Sequence, residues 1–183
     1  MSMDIKSTIV NQLKYIGEDI SREGLLGTPT RVVASWGTLY SGYKSDISKI
    51  LEVTFNEDCD EMVVLRDIEM YSTCEHHLLP FWGKAHIAYI PNNKIVGVSK
   101  LARVLECYSR RLQIQERICK QVVEALDKYL SPLGSACIIE AQHFCMTSRG
   151  VEKQKSKMVT SSLSGVFKTE ASAREELLEL IKM

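Results

Sequence analysis

Ile5, Ile9, Leu13 and Ile16 recur every three to four positions, so residues 4–16 are predicted to form an amphipathic helix. Gly24 and Gly27 break the chain. Thr28-Pro29 then reads as an N-cap followed by proline at the first helical position of a second helix. Val32, Val33, Trp36, Leu39 and Tyr40 continue it. Ser41 to Asp60 is polar and punctuated, as suits a connector. From Met62 the apolar period shortens to two. Met62, Val64, Ile68 and Met70 share one strand face, interrupted by Arg66, and Lys84 to Ile90 forms a second strand ended by Pro91-Asn92-Asn93. Ser99 is placed to cap a helix through Tyr108, with Leu101, Val104, Leu105 and Tyr108 on its buried stripe. Ile114, Ile118, Val122, Leu126 and Tyr129 mark the next helix, which Ser131-Pro132-Leu133-Gly134 ends. Ala136 to Cys145 reads as a third strand, Lys157 to Phe167 as a fourth, and Thr169 to Met183 as a closing helix. N-terminal helices followed by ββααββ and a last helix make an α+β layout.

The 183 residues fit one domain with a small helical extension. Basic and acidic residues balance at 23 each, so no general nucleic-acid or membrane footprint is indicated. No apolar run approaches a membrane span and Met1 to Lys6 lacks a signal-peptide pattern, so a cytoplasmic protein is expected. Six cysteines without framework spacing, in a chain large enough for its own core, argue against a disulfide scaffold. Cys59, Cys107, Cys119 and Cys137 are read as structural or incidental.

Cys74 and Cys145 differ, because histidines accompany them in Ser72-Thr73-Cys74-Glu75-His76-His77 and His143-Phe144-Cys145. Neighbouring side chains diverge, so adjacent His76 and His77 do not readily share a metal, whereas Cys74 and His77 converge across a turn. Strand parity puts His143 and Cys145 on one face, about 7 Å apart at Cα. The expected set is Cys74, His77 and Cys145 with an open coordination position, and with His76 and His143 unligated beside it. Zinc suits that donor set, lowering the pKa of a water while histidine moves protons near neutrality. His86 stands alone in its strand and reads as a satisfied sheet histidine. Glu75, Gln115 and Glu116 are candidate polar contacts for a substrate, although Gln115 and Glu116 equally suit a solvated first helical turn. Arg31, Lys100, Arg103 and Arg149 are candidate phosphate ligands, and Ser99 starts a helix whose amides could join them. Spacing does not show that they meet.

Gly27-Thr28-Pro29-Thr30-Arg31, the Cys74 cluster, Gly97-Val98-Ser99-Lys100, Gln113-Ile114-Gln115-Glu116-Arg117, His143-Phe144-Cys145 and Ser148-Arg149-Gly150 follow in that order. From about Ile5 to Lys182 the chain resembles zinc-dependent GTP cyclohydrolase I, with Ser99 to Arg117 especially similar to the animal branch. The resemblance implies a tunnelling fold: a ββααββ antiparallel sheet with helices on one face, preceded by N-terminal helices and joined to neighbours in a barrel ring. Residues 1–45 would be the helical segment and 46–183 the catalytic domain. Two stacked pentamers would form a homodecamer with active sites between subunits. The implied reaction converts GTP and water to formate and 7,8-dihydroneopterin triphosphate, the entry to folate or tetrahydrobiopterin synthesis. Cys74, His77 and Cys145 would bind Zn2+, whose activated water attacks C8. His143 would protonate N7 and His76 would assist hydrolysis and formate release. Ser99 would help the ribose-chain rearrangement, and Glu116, with Gln115 nearby, would read the guanine edge. Arg31, Lys100, Arg103 and Arg149 would hold the triphosphate. A feedback regulatory protein is a candidate partner, although the chain begins almost at the first helix.

Two rival readings predict other behaviour. Other tunnelling-fold enzymes acting on pterins or deazapurines use three histidines for zinc, or a nucleophilic cysteine with NADPH, and neither would release formate from GTP. A zinc-stabilised, non-catalytic oligomer would melt on losing zinc and tolerate His143→Ala.

Overall fold

A computed structural model of the chain describes residues 4–183. The polypeptide forms two compact units, the first ending at Ser41 and the second spanning Gly42–Met183. In the first, α1 (Ile5–Tyr15) starts where the Asp4 side chain accepts the Lys6 amide hydrogen, a capping interaction. A short α2 (Glu23–Leu26) occupies the stretch between the predicted helices, and α3 (Thr28–Leu39) follows. Gly27, not Thr28, is the N-cap of α3. The Thr28 hydroxyl turns back to the Gly24 carbonyl instead, at 3.4 Å.

The predicted connector carries structure of its own. A 3₁₀ turn (Ser41–Lys44), α4 (Ile47–Leu51) and β1 (Thr54–Asn56) precede β2 (Val63–Cys74). After β3 (Pro80–Ile90), β4 (Lys94–Val96) pairs with β1 in a separate two-stranded ribbon. Then come α5 (Val98–Ser109), β5 (Leu112–Gln113), α6 (Gln115–Leu130), β6 (Gly134–His143), α7 (Phe144–Thr147), β7 (Met158–Leu163), α8 (Val166–Thr169) and α9 (Ala171–Lys182). Gly97 caps α5, so Ser99 lies inside its first turn.

The main sheet has the order β5-β2-β3-β6-β7. Its four long strands are antiparallel neighbours, as the ββααββ pattern predicts, and β5 adds only a short parallel pairing at Thr73 and Cys74. Alternation along β3 and β6 sends Ile87, Tyr89, Cys137 and Ile139 to the face covered by Leu101, Val104 and Leu105 of α5 and Ile118, Val122 and Leu126 of α6. The opposite face is not bare. Ala88, Ala136 and Ile138 pack there on Phe167 of α8 and Leu177 of α9, so helices cover both faces rather than one. Read as part of a fourth strand, Phe167 is instead the buried anchor of α8.

Gly83 of β3 is paired with Ala141, and a Cβ built on it would stand 1.9 Å from the Glu140 carbonyl oxygen. Backbone cannot yield as a flexible side chain can. Gly83→Ala should therefore cost about 1–3 kcal/mol as overpacking, measurable as a lowered denaturation midpoint with unchanged m-value.

A bulge between Leu65 and Ile68 shifts the β2–β3 register and leaves Asp67 at φ 55°. His86 supports it: Nδ1 accepts the Asp67 amide hydrogen at 3.2 Å, while Asp67 takes the Lys84 ammonium at 2.7 Å. The lone sheet histidine is thus satisfied by backbone. Burial pushes its pKa below the ordinary imidazole value, against the opposing pull of Asp67 and Glu140 and with the help of Lys84 and Arg66. The fold selects the neutral ring, so this contribution is complete above about pH 6.5 and is lost as pH falls toward the folded pKa. Thermal unfolding of His86→Gln should accordingly show a shallower loss of stability than wild type between about pH 7 and 5.

Candidate metal centre and active site

The end of β2 builds the first half of the site. Cys74 is its last residue, and its carbonyl accepts hydrogen bonds from the amides of His77 (3.3 Å) and Leu78 (2.9 Å). Its own amide donates to Leu79 at 2.8 Å, closing a tight loop in which Leu78 adopts φ 56°. This loop turns His77 back, bringing Nδ1 to 3.6 Å from Cys74 Sγ.

The other half departs from the expected strand. β6 stops at His143, and Phe144–Thr147 form a helical turn. His143 is extended (φ −105°, ψ 116°), so the turn begins after it and swings Cys145 inward. Strand parity is therefore not what places His143 and Cys145 at one site. Cys145 Sγ lies 4.0 Å from Cys74 Sγ, and one donor atom from each of Cys74, His77 and Cys145 falls within 4.8 Å of the others.

These separations suit a tetrahedral ion. With metal–sulfur bonds of about 2.3 Å, tetrahedral geometry sets two sulfurs roughly 3.8 Å apart. Two soft sulfurs and one imidazole also match the donor preference of zinc. Without a cation, burial and the neighbouring Cys74 sulfur push the Cys145 thiol pKa up, which a bound ion would reverse. If Nδ1 of His77 faces a metal, Nε2 carries the proton and cannot accept from Arg149, whose Nη1 is 3.5 Å away. Arg149 is then held by the Cys145 carbonyl at 3.3 Å, with its remaining donors available to an anion.

A cavity of about 250 Å³ opens beside these ligands, lined by Cys74, His76, His77, Gln115, Glu116, His143 and Cys145 together with Gln113, Ile114, Met146 and Met158. His143 stacks on buried Phe81 at 4.5 Å with an interplanar angle of 4°. Its Nε2 lies 2.8 Å from Gln115 Oε1. Burial pushes the His143 pKa down, and the charge of Glu116 opposes that. His76 is exposed at the rim, its ring edge-on to His77 at 6.2 Å. Apolar walls of Ile114, Met146 and Met158 beside polar Glu116 would suit a flat heteroaromatic ring.

Not every sequence candidate gathers here. Ser99, Lys100 and Arg103 lie in the first turns of α5 and do not line the cavity. Arg31 belongs to the first unit, where it bonds to the Gly24 carbonyl at 2.9 Å and the Thr28 hydroxyl at 3.0 Å. The Glu75 carboxylate is taken by Arg117 in a two-pronged pair of 2.5 and 3.1 Å, which holds it below the usual carboxylate range. Sequence reading gave Arg117 no role. No local pattern marks Arg117, because its partner Glu75 lies 42 residues away. Arg117 also reaches Gln113 Oε1 at 3.4 Å, and through Glu75 it ties α6 to the residue following the candidate ligand Cys74. Such supporting contacts tune metal affinity. Arg117→Met should weaken metal retention by about 10-fold in chelator competition, without abolishing binding.

The sheet, the paired Cys/His segments and the cavity together define a mixed α/β protein with a Cys-His-Cys group that could hold a metal ion. The sequence model of the family described as GTP cyclohydrolase I matches residues 5–182. GTP cyclohydrolase 1 of Leptospira biflexa is 52% identical over 179 residues, covering 97% of this chain and 98% of that protein. The Wolinella succinogenes protein of that name is 53% identical over 179 residues, with coverage of 97% and 96%. One from a Synechococcus strain is 55% identical over 171 residues, with coverage of 93% and 75%. The chain belongs to the GTP cyclohydrolase I family. None of these three relatives is an animal protein, so the animal-branch likeness of Ser99 to Arg117 gains nothing from them. The apo archaeosine synthase QueF-like structure shares a TM-score of 0.48 at 13% identity, over 57% of this chain and 93% of that one, too loose a likeness to bear on activity. Among the described residues, no helix is long and apolar enough to cross a membrane.

Proposed function

We propose that this enzyme converts GTP and water to formate and 7,8-dihydroneopterin triphosphate, the opening step of pterin synthesis, in the cytoplasm. The observation that carries the reading is the convergence of Cys74, His77 and Cys145 beside His143, His76 and Glu116 on one cavity, in a chain of this family. Cys74, His77 and Cys145 would hold Zn2+. When bound, zinc would supply Lewis acidity and a water of lowered pKa for attack at C8 of the purine.

The protein's own groups do the rest. Glu116 accepts from N1–H and the 2-amino group, an arrangement adenine cannot satisfy. His143 donates a proton to N7 as the imidazole ring opens, and its position on the cavity wall suits that role. His76, at the rim, moves protons as C8 departs as formate. Arg149 binds the triphosphate with donors that the Cys145 carbonyl leaves free.

Ser99, Lys100 and Arg103 serve a second part of the site, which neighbouring copies complete, and Arg31 is a further candidate ligand of the triphosphate. Two features support the joining of sheets between copies, which we propose builds two stacked pentameric rings. Among the described residues β7 pairs with β6 alone and β5 covers only the end of β2, so both borders of the sheet are open to another chain. In such a ring, Ser99 assists the ribose-chain rearrangement and the basic residues share the triphosphate.

The test is to supply GTP or ATP to the metal-loaded protein, assaying formate and the fluorescence of the oxidised pterin. Equal amounts of both products from GTP, and neither from ATP, are expected. Formate without pterin would limit the chemistry to ring opening and remove the Ser99 assignment. No product from a metal-loaded, intact oligomer would favour the non-catalytic module.

A further inference from the structure

We infer that Gln115 is a positioning residue that holds His143 in a single ring tautomer, protonated at Nε2, so that Nδ1 alone exchanges protons with the substrate. The inference rests on the cyclohydrolase reading for its consequence, and on hydrogen-bond geometry for its substance.

Gln115 opens α6 with no exposed surface. Its amide nitrogen donates to the carbonyl of Ile139 on β6 at 2.9 Å and to that of Met158 on β7 at 3.0 Å. Backbone carbonyls only accept, so these two contacts fix which end of the amide is nitrogen. Oε1 is left facing His143 Nε2 at 2.8 Å, and it too only accepts. The imidazole must therefore present N–H at Nε2. The opposite tautomer would set two lone pairs against each other in a buried site.

Phe81 supplies the second restraint. It is fully buried, is the cross-strand partner of His143, and lies parallel to its ring at 4.5 Å. Stacking sets the plane of the imidazole, and Gln115 sets its rotation within that plane. A neutral His143 then carries its lone pair on Nδ1, and a protonated one carries its transferable proton there. A flipped or alternating ring would hold the wrong atom toward N7 for part of the time.

The same geometry leaves Gln115 little to offer a purine. Both amide hydrogens are spent on main-chain carbonyls and the oxygen on His143, so guanine reading falls to Glu116. The two roles separate in kinetics. A guanine-reading residue raises KM when truncated, whereas one that aims a proton carrier lowers kcat.

The experiment uses the zinc-loaded protein with 15N-labelled histidine, alongside Gln115→Met, Gln115→Glu and, for assignment, His143→Asn. Wild-type His143 should show a protonated Nε2 and an unprotonated Nδ1 in its neutral state. Gln115→Met should lose that preference and release formate up to ~100-fold more slowly at saturating GTP, with KM within about twofold of wild type. Gln115→Glu, which keeps an oxygen toward Nε2, should recover part of the rate only where its carboxyl is protonated and still donates to one of the Ile139 and Met158 carbonyls. A wild-type His143 protonated at Nδ1, or mixed between tautomers, would overturn the inference even if no variant folds. Unchanged kcat with raised KM in Gln115→Met would overturn it in favour of guanine reading. Wild-type protein with the Nε2–H signature but no formate would sink the cyclohydrolase reading while upholding the tautomer lock.

Discussion

Alanine at His143 should lower GTP turnover by ~10²–10⁴-fold while leaving the metal and the fold in place. The side chain stands beside the ligand cluster rather than in it: Nε2 is engaged by Gln115, and the ring face rests on Phe81. Removing it deletes the proposed proton carrier without touching a donor atom of Cys74, His77 or Cys145. The structural cost comes from the Gln115 oxygen, left buried without its partner, and is about 1–3 kcal/mol. Metal analysis, circular dichroism and single-turnover formate release separate these effects. A variant that holds its metal and turns over normally would remove His143 from the chemistry.

Cys145→Ala should be more severe for the metal. It removes one of two sulfurs 4.0 Å apart, leaving only the Cys74 and His77 donors of the tight loop after β2. Affinity should collapse, and formate release should fall to background. Stability supplies an independent reading. A ligand that binds only the native state stabilises it by about 2.7 kcal/mol at one hundred times Kd, and so raises the melting temperature as its concentration rises. Wild-type melting should therefore respond to added zinc and Cys145→Ala melting should not. Stoichiometric zinc with full activity in the variant would strike Cys145 from the ligand set.

Much of this arrangement was legible along the chain because it rests on local periodicity. Leu101, Val104 and Leu105, and Ile118, Val122 and Leu126, sit on the faces of α5 and α6 that their spacing implies. Ile87, Tyr89, Cys137 and Ile139 sit where alternation puts them. Cys74 and His77 were readable for the same reason, since a three-residue separation across a turn brings two side chains together. Cys145 was identified from its donor chemistry, but its route into the site was not. A strand that ends at His143 and turns into a helix looks, in hydropathy, like a strand that continues.

What stayed hidden depends on partners distant in sequence. Gln115 has the appearance of a solvated first turn, yet it is buried because carbonyls 24 and 43 residues away accept its amide. The Glu75–Arg117 pair spans 42 residues, and nothing in either segment names the other. Ser99 has the chemistry of a cap, but Gly97 already occupies that place. Phe167 looked like the end of a strand because an apolar residue suits either context. Its burial on the far side of the sheet is a tertiary fact.

The measurement that tests the account most directly is stepwise zinc reconstitution of chelator-stripped protein, with bound metal and formate release from GTP read at every step. Activity is expected to be absent at the start, rise in proportion to zinc, and level off at about one ion per chain, the stoichiometry of a single three-ligand site. Full formate release from metal-free protein, or saturation with zinc that brings no activity, would contradict the account.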